Sequence, residues 1–312
     1  MSTGAKTERR KLYDLVERDA HVERLGAGFA FTEGPLWNKE GGFLLFSDMP
    51  GDVRRRWDEQ SGVQEVTRPS NKGNGMTYDA QGRLIVCENS TSLVVRIDPD
   101  GTGSSREVIA SHYHGKELNS PNDVVVKSDG SIYFTDPTYG RMPGFGVERE
   151  QELDFQGVYR IQAGNGEPQL LVDDFDQPNG LCYSPDESLL YVNDTTRAHI
   201  RVFDVGSDGT ISNGRTFAES IGTGSLEKGD LVDGMKSDEG GAIWVTGPEG
   251  VWVFNPGGEH LGVVGIPESV GNLHWGGPEW KWMFVCASTG LYRFKTKVAG
   301  RREPFMELGE TR

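Results

Sequence analysis

At 312 residues, with 32 Lys and Arg against 47 Asp and Glu, the chain is long for one compact core and carries a formal net charge of −15. A surface that acidic repels phosphate backbones and anionic lipid, which argues against nucleic acid or a membrane surface as partner. Three cysteines, Cys87, Cys182 and Cys286, sit inside apolar runs with neither CxxC spacing nor a disulfide framework, and read as buried structural thiols.

The N-terminal MSTGAKTERRKLYDLVERD has no apolar run of the length a signal peptide needs. No stretch approaches the roughly 18–20 apolar residues of a membrane span, so the expected location is the cytoplasm. Residues 5–19 carry Leu12, Leu15 and Val16 at a spacing compatible with a short helix, and residues 1–19 read as an extension ahead of one domain over 20–312. From residue 20 onward helical periodicity is almost absent. Short β-rich runs such as FLLFSD, RLIVCEN, GVYRIQ, LLYVND and VWVFNP follow one another between Gly and Asp turns, the pattern of an all-β fold.

These runs repeat at a higher level. Six units open at EGPLWN (33–38), NGMTYD (74–79), NDVVVK (122–127), NGLCYS (179–184), DGMKSD (233–238) and NLHWGG (272–277), with starts 39 to 57 residues apart. Units of about this size, each of four short strands, indicate the blades of a β-propeller, here six-bladed. The sixth unit is short of an outer strand, and AHVERLG (20–26) supplies one that would close the ring. The third unit carries an insertion, RMPGFGVEREQELDFQG (141–157), which is either a wall or lid over the open end or a plain surface loop.

Aligning the units places Glu33, Asn74, Asn122, Asn179, Asp233 and Asn272 at one equivalent position, just before each innermost strand. Six such residues converge on one mouth of the central channel. Two carboxylates and four amides form an oxygen-only donor set, which favours a hard divalent cation, Ca²⁺ first, with Zn²⁺, Mn²⁺, Mg²⁺ or Fe²⁺ as alternatives. Asn-Gly and Asp-Gly are also ordinary turn dipeptides; Glu33-Gly-Pro and Asn122-Asp are poor turn choices at the same place. His274 is placed near the mouth, for substrate contact, an acid–base role or simple packing, and Asp136, Thr138 and Tyr139 of FTDPTYG end a strand beside the insertion, where they line a pocket or merely open a turn. His112 and His114 (HYH) read as a solvated loop, and the seven tryptophans as inter-blade packing. No HExxH, Walker-type or GxSxG motif is present.

Taken together, EGPLWN, SPNDVVV, FTDPTYG, QPNGLCYSPDES, LLYVND and DGMKSDEGGAIWV resemble the gluconolactonase, senescence-marker-protein and luciferin-regenerating-enzyme family, in order over roughly residues 20–297. The resemblance implies a six-bladed propeller with one divalent cation in its mouth that hydrolyses sugar lactones, or organophosphates in related branches. It implies Glu33, Asn122, Asn179 and Asp233 as metal ligands and Asp233 as catalytic base, with the cation acting as Lewis acid toward the lactone carbonyl. Asn74, Asp136, Tyr139 and His274 are then the substrate-binding candidates. Sugar lactonases of the family often carry an arginine two residues before the PND asparagine; this chain has Ser120. The implied partner is a small-molecule lactone, and the implied assembly a monomer or small homo-oligomer. A triesterase on the same site and a non-catalytic binding propeller are the alternatives.

Overall fold

The computed structural model describes residues 11–164 and 166–307. Among them are six antiparallel four-stranded sheets and one two-stranded ribbon. Blade 1 is typical: Thr32–Asn38, Phe43–Asp48, Val53–Asp58 and Gly62–Thr67 run outward in sequence order. The innermost strands of blades 2 to 6 are Gly73–Tyr78, Val124–Val126, Pro178–Tyr183, Met235–Ser237 and Val270–Gly276. The repeat phase read from the sequence therefore coincides with the blades.

Burial falls from axis to rim. Gly73–Tyr78 is buried throughout, whereas Arg106–Ala110, the outermost strand of the same blade, is exposed over its first three residues. A four-stranded sheet has two apolar faces, and each is covered by the next blade. The cores accordingly lie between blades: Ile85, Val94 and Leu118 pack with Val124 and Phe134 across blades 2 and 3, and Val125 and Tyr133 pack with Leu181 and Phe203 across blades 3 and 4. Trp37 of blade 1 stacks on Phe284 of blade 6 at 5.3 Å, and Trp244 of blade 5 meets Trp275 of blade 6 edge-on at 5.6 Å. The three cysteines are free and buried.

Closure comes from the N-terminal side. Glu23–Ala27 pairs antiparallel with Gly290–Lys295 as the fourth strand of blade 6, from Glu23 opposite Arg293 to Ala27 opposite Gly290. The helix expected over 5–19 is a single turn, Leu12–Leu15, in its described part, and residues 5–10 lie outside the described residues. Leu12, Leu15 and Val16 are buried in the largest core cluster, beside blades 5 and 6. The HYH loop forms the two-stranded ribbon His112–Tyr113 with Lys116–Glu117. No helix among the described residues is long and apolar enough to cross a membrane.

The glycines that follow the ring residues serve close approach rather than a turn. A Cβ on Gly34, at φ +50, would lie 2.0 Å from the Asn74 carbonyl oxygen, and one on Gly180 would lie 2.3 Å from that of Asp233. At these positions the inner strand rests against the backbone of the next blade's ring residue, which leaves no room for a side chain, whereas blades 3 and 6 carry Asp123 and Leu273 at the equivalent place. Gly180→Ala is expected to push Asp233 outward and destabilise the protein by about 1–3 kcal/mol or more, read as a lower urea midpoint at unchanged slope.

Candidate active site at the channel mouth

Contacts run around the axis as a closed cycle. Gly34 abuts the Asn74 backbone, Gly75 N donates to Asn122 O at 2.8 Å, and Thr135 Oγ1 donates to Asn179 O at 2.7 Å while Thr135 O accepts from Asn122 N. Gly180 abuts Asp233, Gly234 N donates to Gly271 O at 2.8 Å, and Asn272 Nδ2 donates to Glu33 Oε2 at 3.0 Å. The six aligned positions are therefore spatial neighbours. Five of them, Glu33, Asn74, Asn122, Asn179 and Asp233, line a cavity of about 120 Å³ at the mouth. At about 10–15 Å³ per water, that is room for a small ring compound. Asn272 instead holds the Glu33 carboxylate.

Glu33 and Asn179 are oriented through their side chains, and Asp233 is held at its backbone. Glu33 Oε2 accepts from Gly34 N at 2.8 Å as well as from Asn272. Asn179 Nδ2 donates to Thr195 Oγ1 at 3.0 Å, and Thr195 Oγ1 donates to Val232 O at 2.8 Å, so one hydroxyl ties the Asn179 amide to the peptide preceding Asp233. Asp233 N donates to Thr246 Oγ1 at 2.7 Å. Asn74 Oδ1 is buried and has no hydrogen-bond partner among the described residues.

Charge is concentrated here. Burial, then Asp123 among other neighbours, lifts the Glu33 carboxyl to about 7. Burial, then Glu33 and Asp123, raises Asp233 well above the carboxylate range. Asp123 lies on the next layer with its own carboxyl raised by burial, and the Lys236 ammonium stands 3.9 Å from its Oδ2. Two buried carboxylates that resist ionisation in each other's presence, beside amide oxygens, form a donor set that a hard dication would satisfy. Among the described residues no group of three His, Cys, Asp or Glu side chains that could hold a metal ion occurs, at the mouth or elsewhere, so amide oxygens would have to complete this donor set.

The other candidates divide. Tyr139 lines the cavity with Asn74. Asp136 does not: its buried carboxylate accepts from Asn119 N and Ser120 N, both at 2.8 Å, and burial raises it to about 7. It braces the segment leading to Asn122, because a carboxylate in that position has two backbone N–H groups to satisfy. His274 is also outside the lining. It is buried, its Nδ1 lies 2.6 Å from Trp275 O, its ring is edge-on to Trp280, and burial followed by Lys236 lowers it to about 3. It is a neutral packing residue below the ring. Ser120 is equally internal: Oγ donates to Pro137 O at 2.6 Å and accepts from Gly140 N at 2.8 Å. The insertion contributes Phe145 to the cavity wall, and Phe31, Met49, Leu226, Leu231 and Val270 complete the apolar sides. Phe31, Leu231 and Val270 each stand two residues before a ring position, an offset that the alignment of units exposes; Met49, Phe145 and Leu226 carry no such signal.

A six-bladed propeller with a carboxylate and amide ring at one mouth is the class that fold and site define. Residues 31–289 match the SMP-30/gluconolactonase/LRE-like region, and the chain belongs to that family. It is 32% identical over 309 residues to the gluconolactonase of Zymomonas mobilis subsp. mobilis, covering 93% of this chain and 85% of that one. A solved gluconolactonase from Xanthomonas campestris superposes with a TM-score of 0.82 at 33% identity, over 91% of this chain and 92% of the other. The calcium-binding protein regucalcin of Agrobacterium tumefaciens shares the fold, with a TM-score of 0.75 at 18% identity over 91% and 97% of the two chains.

Thr195→Val leaves the Asn179 amide and the Val232 carbonyl without their shared partner. It is expected to cost about 1–3 kcal/mol in chemical denaturation, with Val as a near-isosteric replacement that opens little space.

Proposed function

We propose that the protein is a lactone hydrolase acting at the channel mouth, with Glu33, Asn122, Asn179 and Asp233 holding one divalent cation, Ca²⁺ in the first instance. The observation that carries this reading is the pair of buried carboxylates on a closed ring of amides beneath an open cavity. Family membership and the gluconolactonase relatives support lactones as the substrate class. When bound, the cation supplies Lewis-acid polarisation of an ester carbonyl and compensates the negative charge that develops on its oxygen.

The chain's own groups do the rest. Asp233 orients the attacking water and accepts its proton as the water oxygen bonds to the carbonyl carbon. The ring C–O bond then breaks, and that proton returns to the departing oxygen, giving the hydroxy acid. Glu33, fixed by Gly34 N and Asn272 Nδ2, holds its carboxylate in one rotamer, so little reorganisation is needed during reaction. Asn74, with its free Oδ1, and Tyr139 face the substrate. The three unpaired buried thiols accord with cytoplasmic residence.

Asp233→Asn and Glu33→Gln are each expected to lower kcat/KM by roughly 10²-fold or more with the melting transition retained. Near-normal turnover by chelator-treated protein would overturn the metal-dependent reading. Stability supplies an independent test. Because the folded Glu33 carboxyl sits near 7 against an ordinary 4.5, the native state holds more protons than the unfolded one between those values, and stability falls as pH rises across that window. Chelated protein should lose melting temperature from about pH 4.5 to 7; Glu33→Gln should flatten that slope, and added Ca²⁺ at pH 7.5 should raise the transition.

A further inference from the structure

The mouth cavity has two chemically different halves. Its floor is the polar ring, and its sides are Phe31, Met49, Phe145, Leu226, Leu231 and Val270. No Lys, Arg or His stands among its described lining residues, and the only carboxylates are Glu33 and Asp233 on the floor. Two other polar side chains reach the cavity, and both are engaged. Ser269 Oγ donates to Gly229 O at 3.0 Å. The largely buried Tyr139 phenol is pushed up by burial and shares a hydrogen bond with Thr195.

The apolar sides are held in place. Phe145 meets Phe31 edge-on with centroids 5.7 Å apart. Its loop is pinned by Lys72 Nζ donating to Gly144 O at 2.8 Å, by Val147 N donating to Gly140 O at 2.9 Å, and by the Ser120 Oγ contact with Gly140 N. Leu226, 46% exposed at the rim, sits in a turn closed by the Ser225–Asp230 bridge and by Gly229 N donating to Leu226 O at 3.1 Å.

A polyhydroxylated ring carries a hydroxyl on most carbons, and each one pressed against such walls loses its water partners without replacement. An apolar substituent gains from the same contact, because burial removes apolar surface from water on both sides. Building on the lactonase reading above, we infer that this site prefers lactones bearing an alkyl or aryl substituent, which lies against Phe145 and Leu226 while the ester faces the ring. Phe145 and Leu226 are then specificity determinants, and the preference differs from the substrate that names the Zymomonas mobilis and Xanthomonas campestris relatives.

The test compares kcat/KM for δ-decalactone and glucono-δ-lactone with Ca²⁺ in excess. The alkyl lactone is expected to lead by about tenfold or more. Phe145→Ala and Leu226→Ala should each cut the ratio of the two by about fivefold, in variants whose melting curves match the parent. Calorimetric binding of the two corresponding lactams, which are not hydrolysed, separates the walls from the chemistry. A lead for glucono-δ-lactone, or equal values, overturns this inference and leaves the lactonase reading intact. If no lactone is opened yet the alkyl lactam binds more tightly, the reaction falls and the wall assignment stands. If no lactone is opened and neither lactam is favoured, both fall.

Discussion

The pairing of Glu23–Ala27 with Gly290–Lys295 is the constraint on which the rest of the molecule depends. A row of blades has two uncovered ends, and each end exposes an apolar sheet face together with unpaired strand edges. Completing blade 6 with a strand that leads directly into blade 1 joins those ends covalently and by backbone hydrogen bonds. The same junction carries the Trp37–Phe284 stack and, nearer the axis, the hydrogen bond from Asn272 to Glu33. Closure of the fold and orientation of one ring carboxylate are thus produced at a single seam.

Ring geometry follows from how closely the inner strands approach. Six blades around a narrow axis bring the carbonyls of Asn74, Asn122 and Asp233 against the residue that follows the preceding ring position, and at Gly34 and Gly180 only a hydrogen fits. This packing is also what makes the site rigid. Amide and carboxylate side chains that leave the ends of crowded strands have few rotamers open to them, and Thr195 at Asn179 and Asn272 at Glu33 limit them further.

That crowding explains what was legible in the amino-acid order. The blade phase, the closing strand and the six ring positions all repeat with the fold, so one alignment of units recovers them together. The Asn-Gly and Asp-Gly pairs look like turn dipeptides, but their glycines answer to a neighbouring blade, information that lies in contacts tens of residues away. Asp136 and His274 illustrate the limit. Both occupy suggestive places, yet one spends its carboxylate on two backbone N–H groups and the other is buried against Trp280. The cavity walls were the least legible, because Phe145 and Leu226 come from loops of individual length that no repeat predicts. The scaffold is periodic and its specificity is not.

The Lys236–Asp123 pair beneath the ring has a consequence for how the channel is charged. Counting the layers together, Glu33, Asp233 and Asp123 contribute three carboxylates and Lys236 one ammonium, while the neutral His274 contributes nothing. Fully ionised, the interior carries two uncompensated negative charges, the complement of a single dication. In the proposed metal-bound state the Lys236 ammonium offsets the Asp123 carboxylate, so that the charge left on Glu33 and Asp233 matches one dication.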